Sequence, residues 1–301
     1  YLNFYYYAEM AVAKRLLELS MVCEGTDLNA LEEQIQQVEK ETAVLLAPEQ
    51  RQAVLEAMGG GALIITGGPG TGKTTTINTI LRLLEKEGKE VVLAAPTGRA
   101  AKRMTEATGV EAKTIHRLLG TTFVSDDNRR QVFDKNEDDP IEADVIIIDE
   151  TSMVDLHLMH ALLRAVQNET AVIFVGDMDQ LPSVGAGNVL KDMIRSERLR
   201  VVRLRHVFRQ AQESAIIMNA HRINQGDEPV LNENGTDFFF MRRAYGQEVL
   251  TTIQELVKSR LPKYTGHDAL AEMQILTPMR KGILGVQSLN QVLQETLNPP
   301  S

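Results

Sequence analysis

A glycine-rich segment, GGPGTGKTT at residues 67–75, constrains the fold of this chain more than any other stretch. It follows the apolar run ALIIT at 62–66 and leads into a segment with helical spacing at 73–87. From Gly67 to Thr74 it satisfies the pattern G-x-x-x-x-G-K-[ST], in which glycines let the backbone curl until its N–H groups point inward. The pattern therefore predicts a strand, a tight loop and a helix whose N-terminus faces an anion.

The alternation of short apolar runs with helical segments continues along the chain. Further strands are predicted at 90–96, 144–149, 171–176 and 201–204, and helices at 48–58, 98–108 and 155–167. Continuous apolar strands that alternate with helices are typical of a parallel sheet with helices on both faces. We therefore expect an α/β fold for the central part of the chain.

Two helical segments precede this region, at 8–23 and 27–44, with Asp27 as the expected N-cap of the second. A polar stretch at 120–140 interrupts the alternation, and either a small β-hairpin insertion or a disordered loop fits it. We predict a helical N-terminal segment, a first α/β domain and an incomplete second one, at 1–46, 47–203 and 204–301 respectively.

The last third of the chain shows a second, shorter alternation. It predicts a strand at 238–243, a helix at 246–260, a strand at 273–278 and a final helix from Gln287. Two or three strands make an incomplete domain. Together with a first residue other than Met and the ending LNPPS, this favours a fragment of a longer protein.

The net charge, the length of the apolar runs and the cysteine count each argue against certain classes of protein. The net charge of −9 counts against a protein that coats nucleic acid by bulk electrostatics, although it leaves room for a narrow positive groove. No stretch approaches the roughly 18 apolar residues of a membrane span. The single cysteine, Cys23, excludes an internal disulfide and fits the reducing cytoplasm.

Polar side chains follow two of the predicted strands where each strand ends. The run VIIIDE ends in Asp149 and Glu150, and Gln180 follows the strand at 171–176. Because the carboxyl ends of parallel strands meet at one edge of a sheet, these side chains should lie beside the glycine loop. Such a constellation indicates hydrolysis of a nucleoside triphosphate.

Each of these residues has an expected role in that chemistry. Lys73 would hold the β- and γ-phosphates, while the Thr74 hydroxyl and the Asp149 carboxylate would ligate Mg²⁺. Glu150 would orient or deprotonate the attacking water, and Gln180 would link the γ-phosphate or that water to a neighbouring segment. The residues expected to surround ATP in the loop are Gly68, Pro69, Gly70, Thr71, Gly72, Lys73, Thr74 and Thr75.

Seven segments occur in the order found in superfamily 1 DNA helicases: GGPGTGKTTT, APTGRAAKRM, TIHRLL, IIIDETSMVD, VGDMDQLPSVGAGNVL, LRHVFRQ and ILTPMRKGILGVQSLN. They resemble the RecD family most, and FRQAQESAIIMNAHRIN is more similar to the stand-alone RecD-like helicases than to the RecD subunit of RecBCD. The resemblance implies a RecA-like P-loop NTPase domain, part of a second RecA-like domain, and ATP-driven 5′→3′ movement on single-stranded DNA in repair or recombination. The expected partners are therefore single-stranded DNA and duplex DNA with a 5′ single-stranded tail, with no membrane.

The resemblance also implies roles for further residues. Gln50 matches the glutamine that recognises adenine, and Arg209 matches the arginine finger that reaches the γ-phosphate. The residues that match DNA-contacting positions of the family are Pro96, Thr97, Thr114, His116, Thr277, Pro278 and Asn290. The insertion at 120–140 matches the position of a small pin hairpin that splits the duplex.

The chain departs from the family at its C-terminal end, where the later helicase motifs are absent. We therefore expect this chain to bind nucleotide, to hydrolyse it poorly and not to unwind DNA. Two alternatives stay open at the level of sequence: a non-motor ATP-dependent switch or docking subunit, and an RNA translocase.

Overall fold

The computed structural model describes residues 2–22, 25, 27–123, 131–208, 212–232 and 236–299. The chain divides into two compact units, Tyr1–Val230 and Leu231–Ser301. Residues 204–230, which the sequence pattern assigned to a second domain, group with the first unit in this division. Cys23 and the predicted arginine finger Arg209 lie outside the described residues.

The first unit is built on a parallel sheet of six strands in the order β3-β2-β6-β7-β1-β8. These strands are β1 (Ala62–Gly67), β2 (Val91–Ala95), β3 (Ala112–Thr114), β6 (Val145–Ile148), β7 (Ala171–Gly176) and β8 (Arg200–Leu204). The register pairs Leu63 of β1 with Ile173 of β7, and Ile147 of β6 with the same residue. The predicted parallel α/β fold is confirmed.

Side chains of the central strands enter two separate cores, one on each face of the sheet. Ile64 and Phe174 belong to one core, whereas their neighbours Leu63 and Ile173 belong to the other. This alternation explains the continuous apolar runs, because a strand buried on both faces has no solvent-facing position. Each of these fully buried side chains stabilises the fold by about 1.5–3 kcal/mol.

Helices cover both faces of this sheet. The helices of the first unit are α1 (Asn3–Ser20), α2 (Leu28–Thr42), α3 (Pro48–Met58), α4 (Lys73–Lys86), α5 (Gly98–Thr108), α6 (Ile115–Leu118), α7 (Leu156–Arg164), α8 (Val189–Arg195) and α9 (Ala215–Gln225). Residues of α1, α7 and α8 share one core, and residues of α2, α3 and α4 share the other. The predicted cap is confirmed, since the Asp27 carboxylate accepts hydrogen bonds from the N–H groups of Asn29 and Ala30. Among the described residues, no helix is both long enough and apolar enough to cross a bilayer.

The insertion at 120–140 contains an antiparallel hairpin of β4 (Thr121–Phe123) and β5 (Gln131–Phe133). Of the two interpretations left open by the sequence, the hairpin is thus the one that the structure contains. Its connecting residues, 124–130, lie outside the described part of the chain. The hairpin is followed by a bidentate ion pair in which Arg164 of α7 donates to both carboxylate oxygens of Glu137 at 2.6 Å.

The second unit contains α10 (Gly246–Glu255), a π-helical turn (Leu256–Arg260), α11 (Leu261–Thr265) and α12 (Val286–Leu297). The predicted helices at 246–260 and from Gln287 are confirmed to within a few residues. The predicted strands at 238–243 and 273–278 were wrong, because no strand forms among the residues of this unit that the structure describes. An apolar run forms a strand only when another strand pairs with it, and here Phe239 and Phe240 remain half exposed instead.

Candidate functional site

The order of the sheet places the ends of β6, β7 and β1 side by side. The carboxyl end of β6 leads to Asp149 and Glu150, that of β7 leads to Asp177 and Gln180, and that of β1 leads into the glycine loop. All three strands are parallel, so these ends lie at the same edge of the sheet. The structure therefore gathers at one edge the residues that the sequence predicted to act on a triphosphate.

The glycine loop curls around the side chain of Lys73. The Lys73 ammonium donates to the carbonyl oxygens of Gly67 at 2.7 Å and Gly68 at 3.0 Å. Gly70 and Gly72 have φ angles of 74° and 77°, in the left-handed region that residues with a Cβ rarely adopt. The loop therefore depends on glycine at these two positions for its shape.

The other predicted loop residues line the same turn. Thr71 is buried, and its hydroxyl donates to the Gly68 carbonyl at 2.8 Å. Thr74 and Thr75 lie in the first turn of α4, where Thr74 is exposed and Thr75 is half-buried. The free N–H groups at this helix start make the loop suited to an anion.

Gln50, in the first turn of α3, packs against the loop. Its side chain is only 1% exposed. Its Oε1 accepts from the Ala47 N–H at 2.9 Å, and its Nε2 donates to the Gly72 carbonyl at 3.0 Å. The amide thus ties the start of α3 to the loop, while its role in adenine recognition stays a prediction.

The two carboxylates after β6 lie in the positive field of Lys73. Burial raises the pKa of Asp149, and the Glu150 N–H that donates to Asp149 Oδ1 at 2.8 Å opposes this rise. Burial also raises the pKa of Glu150, and the negative charge of Asp149 raises it further. The charges of Lys73 and Arg103 lower the pKa of both carboxyls. These positive charges therefore partly offset the effect of burial on the pKa of both acids.

Arg103 of α5 forms an ion pair with Glu150, with 3.1 Å between the guanidinium and Oε1. The Glu150 backbone has a φ of 52°, in the left-handed region, at the turn between β6 and the short helix Thr151–Met153. Such a conformation costs about 1–3 kcal/mol in a non-glycine residue, and residues of this kind cluster at active sites and switch regions. The ion pair holds one oxygen of this carboxylate.

The predicted magnesium ligands share one depression in the surface. Thr74 and Asp149 both line a cavity of about 440 Å³ between α4 and α5. A hydroxyl and a carboxylate are the oxygen donors that Mg²⁺ prefers, and the remaining ligands at nucleotide sites come from phosphates and water. Within the described part of the chain, no three His, Cys, Asp or Glu side chains converge on a metal site. The residues present therefore fit an ion that is bound together with a nucleotide.

Gln180 is linked to the segment after β6 rather than to the loop. The Ser152 hydroxyl donates to Gln180 Oε1 at 3.1 Å, which joins the exit of β7 to the short helix Thr151–Met153. Gln180 is otherwise exposed, whereas Asp177 beside it is only 3% exposed. The amide N–H groups of Gln180 are therefore positioned at the surface of this edge.

The predicted nucleic-acid residues of the first unit lie at the ends of β2 and β3. These strands are adjacent, with Ala95 paired to Thr114. Thr97 caps α5 by accepting from the Ala100 N–H at 3.2 Å, and Thr114 caps α6 by accepting from the Arg117 N–H at 3.1 Å. Pro96 is half-buried before the first cap. The centre of the His116 ring lies 6.0 Å from that of Phe133 in the hairpin.

Three predicted nucleic-acid residues belong to the second unit. The Thr277 hydroxyl donates to the Leu284 carbonyl at 2.7 Å, while Pro278 and Asn290 are exposed. Asn290 lies on α12. The structure thus divides the predicted DNA contacts between the two units.

Sequence reasoning missed four residues that contact the site. All four lie inside segments that resemble family motifs, but no spacing rule singles out Arg103 and Ser152 as partners of Glu150 and Gln180. Phe208 and His221 contact the glycine loop from a segment more than 130 residues downstream, which only the folded chain reveals.

The chain is similar to known proteins over most of its length. A family model described as an AAA domain matches residues 45–237, which is more than half of the chain. The ATP-dependent RecD2 DNA helicase of Deinococcus radiodurans is 38% identical over 253 residues, covering 83% of this chain and 33% of that protein. The RecBCD enzyme subunit RecD of Mycolicibacterium smegmatis is 35% identical over 281 residues, covering 83% of this chain and 50% of that protein.

Among solved structures, the Pif1 helicase from Candida albicans is 22% identical with a TM-score of 0.47, over 84% of this chain and 62% of that one. The chain spans between a third and a half of the length of the two curated relatives. The assignment rests on the family match and on these sequence relatives. The chain belongs to the AAA domain family, and its resemblance to RecD-type helicases is confirmed.

Proposed function

We propose that this chain is part of an ATP-driven DNA helicase that moves 5′→3′ along single-stranded DNA in repair or recombination, in the cytoplasm. One observation supports the proposal above all others. The ends of three adjacent strands carry the loop lysine, two acids within its electrostatic reach, and a glutamine hydrogen-bonded to the turn that follows those acids. The RecD and RecD2 relatives supply the expectation that the substrate of this site is ATP and that its track is DNA.

Binding of ATP would rest on Lys73 and on the loop amides. The Lys73 ammonium would move from the carbonyls of Gly67 and Gly68 to the β- and γ-phosphates, because an ion pair with phosphate is stronger than hydrogen bonds to neutral carbonyls. Thr74 and Asp149 would hold Mg²⁺. When bound, Mg²⁺ withdraws negative charge from the phosphate oxygens.

Glu150 would act as the base for the attacking water. Its raised pKa makes the carboxylate a stronger base than an exposed glutamate. Arg103 holds Oε1, which leaves Oε2 to face the water. The left-handed backbone at Glu150 sets the direction of its Cα–Cβ bond, and the ion pair with Arg103 restrains the rest of the side chain before the reaction begins.

Gln180 would couple the presence or loss of the γ-phosphate to the position of the short helix after β6. Its Oε1 accepts from Ser152, so its amide N–H groups can donate to a phosphate oxygen or to the water. Loss of the γ-phosphate would then shift the short helix after β6. Arg209 would complete this site as the arginine finger, as the resemblance predicts.

DNA would be bound through its backbone rather than its bases. The hydroxyls of Thr97 and Thr114 accept from helix N–H groups, which leaves each O–H free to donate to a phosphate. With Pro96 and His116 they would contact DNA without reading its bases, and Thr277, Pro278 and Asn290 are the contacts proposed for the second unit. The hairpin β4–β5 lies next to His116 and is the proposed pin that meets a duplex with a 5′ tail.

The test is ATP hydrolysis measured without nucleic acid, with single-stranded DNA and with an RNA strand of the same sequence. We expect stimulation by DNA and loss of nucleotide-dependent activity in Lys73→Ala. Unwinding of duplexes with either a 5′ or a 3′ tail tests direction, with the 5′ tail expected to be required. ATP binding without stimulation by either strand would support a non-motor switch, and stimulation by RNA alone would support an RNA translocase.

A further inference from the structure

The glycine loop is contacted by residues of the first unit that follow β8, at positions for which the sequence motifs predicted no contact with the loop. The described residues in question are Phe208, which follows β8, and His221, which lies on α9. The Phe208 N–H donates to the Gly70 carbonyl at 3.3 Å. His221 Nε2 lies 3.2 Å from the Pro69 carbonyl oxygen. Because a carbonyl oxygen only accepts, Nε2 carries the proton in this contact.

The rings of both residues lie directly against the loop backbone. A Cβ added to Gly68 would be 2.8 Å from Cε1 of His221, and one added to Gly72 would be 2.9 Å from Cε2 of Phe208. Carbon atoms in contact are normally about 3.5–4.0 Å apart. The absence of side chains at these two positions is therefore what lets both rings approach the loop.

A hydrogen bond to a loop carbonyl also determines the direction of the next N–H group. The peptide group is planar and trans, so the carbonyl of one residue and the N–H of the next point in opposite directions. The bond from His221 to Pro69 therefore turns the Gly70 N–H away from α9. In the same way, the bond from Phe208 to Gly70 turns the Thr71 N–H away from Phe208.

We propose that His221 is a positioning residue for phosphate binding, which orients the Gly70 N–H through the Pro69–Gly70 peptide group. The inference rests on the proposed function, since it assumes that loop N–H groups bind the phosphates of ATP. In this role His221 acts through its contact with the Pro69 carbonyl rather than by binding phosphate itself. It holds the loop in the orientation that binds them, so nucleotide affinity depends on α9.

The first test compares His221→Leu with the wild-type chain. The ligands are ATP and inorganic tripolyphosphate, a probe that lacks base and sugar, and binding is measured by calorimetry. The net contribution of one hydrogen bond, about 1 kcal/mol, corresponds to an affinity about fivefold weaker for both ligands. His221→Gln, which offers an amide N–H at a similar reach, should restore most of the affinity. Asn224→Leu, at an exposed position of the same helix, is the matched control and should change nothing.

The second test uses Gly68→Ala. Gly68 does not have a positive φ, so its backbone accepts alanine, but the added methyl group would displace the His221 ring. We expect about the same fivefold loss as in His221→Leu, and no further loss when the two substitutions are combined.

The outcomes separate this inference from the proposed function. Equal affinities of wild type and His221→Leu for both ligands would overturn the inference, as would losses that multiply in the double variant. If the wild-type chain binds neither ATP nor tripolyphosphate, the proposed function is wrong. Should His221→Leu fail to fold, His221→Ala takes its place in the comparison with His221→Gln, and equal affinities of these two variants for both ligands would overturn the inference.

Discussion

Gln50 offers a quantitative test of how the glycine loop is attached to the rest of the first unit. The proposed change is Gln50→Met, which keeps the length and volume of the side chain and removes its two polar ends. The wild-type amide is 1% exposed, accepts from the Ala47 N–H at 2.9 Å and donates to the Gly72 carbonyl at 3.0 Å. Gln52, an exposed residue of the same helix, gives the matched control Gln52→Met.

The size of the effect follows from these two hydrogen bonds. Each contributes about 1 kcal/mol net, so their loss should lower the free energy of unfolding by about 2 kcal/mol. A buried N–H or carbonyl left without a partner adds to this cost, which brings the expected range to about 2–4 kcal/mol. For a unit of this size, about 2 kcal/mol corresponds to a melting temperature lower by about 4–8 °C.

Urea unfolding followed by circular dichroism measures the change directly. A free energy of unfolding for Gln50→Met within about 0.5 kcal/mol of that for Gln52→Met would refute the structural role argued from these contacts. The same two variants, titrated with ATP and GTP, test adenine recognition separately. If Gln50 recognises the base, the preference for ATP over GTP should fall in Gln50→Met and persist in Gln52→Met.

Four further substitutions address the acids and the glutamine. Asp149→Asn should stabilise the fold at neutral pH, because burial raises the pKa of Asp149 and so disfavours its ionised form, while asparagine keeps the acceptor for the Glu150 N–H. Urea unfolding measures this gain at a series of pH values. The gain should shrink as pH falls from above the pKa of Asp149 in the folded chain towards its pKa in the unfolded chain. A lower free energy of unfolding for Asp149→Asn at neutral pH would contradict this prediction. Arg103→Ala removes a charge that lowers the pKa of Glu150, so the acidic limb of the pH profile of kcat/KM should move to higher pH; no shift would count against Glu150 as the base. Gln180→Ala should leave ATP affinity nearly intact while hydrolysis stops responding to DNA, and Ser152→Ala should reproduce part of this effect; weaker ATP binding would show that our account of Gln180 is wrong.

The sequence predicted most of the first unit because its signals are local. Apolar runs bounded by helices indicated the strands, and the spacing from Gly67 to Thr74 indicated the loop with its lysine. The strands expected at 238–243 and 273–278 failed for the opposite reason, since pairing is not a property of the run itself. The short strand Ala112–Thr114 was missed because it is too short to show a pattern.

Residue types and their spacing therefore specified the α/β fold, the loop and the acids that follow the strands. Packing in three dimensions decided which strands are neighbours. The order of the strands in turn places Asp149, Gln180 and the loop at one edge of the sheet. The same holds for the contacts of Arg103, Ser152 and His221, whose partners lie 28 to 152 residues away along the chain. Periodicity reports the environment of each residue along its own strand or helix, whereas a contact between distant residues depends on the simultaneous packing of both faces of the sheet.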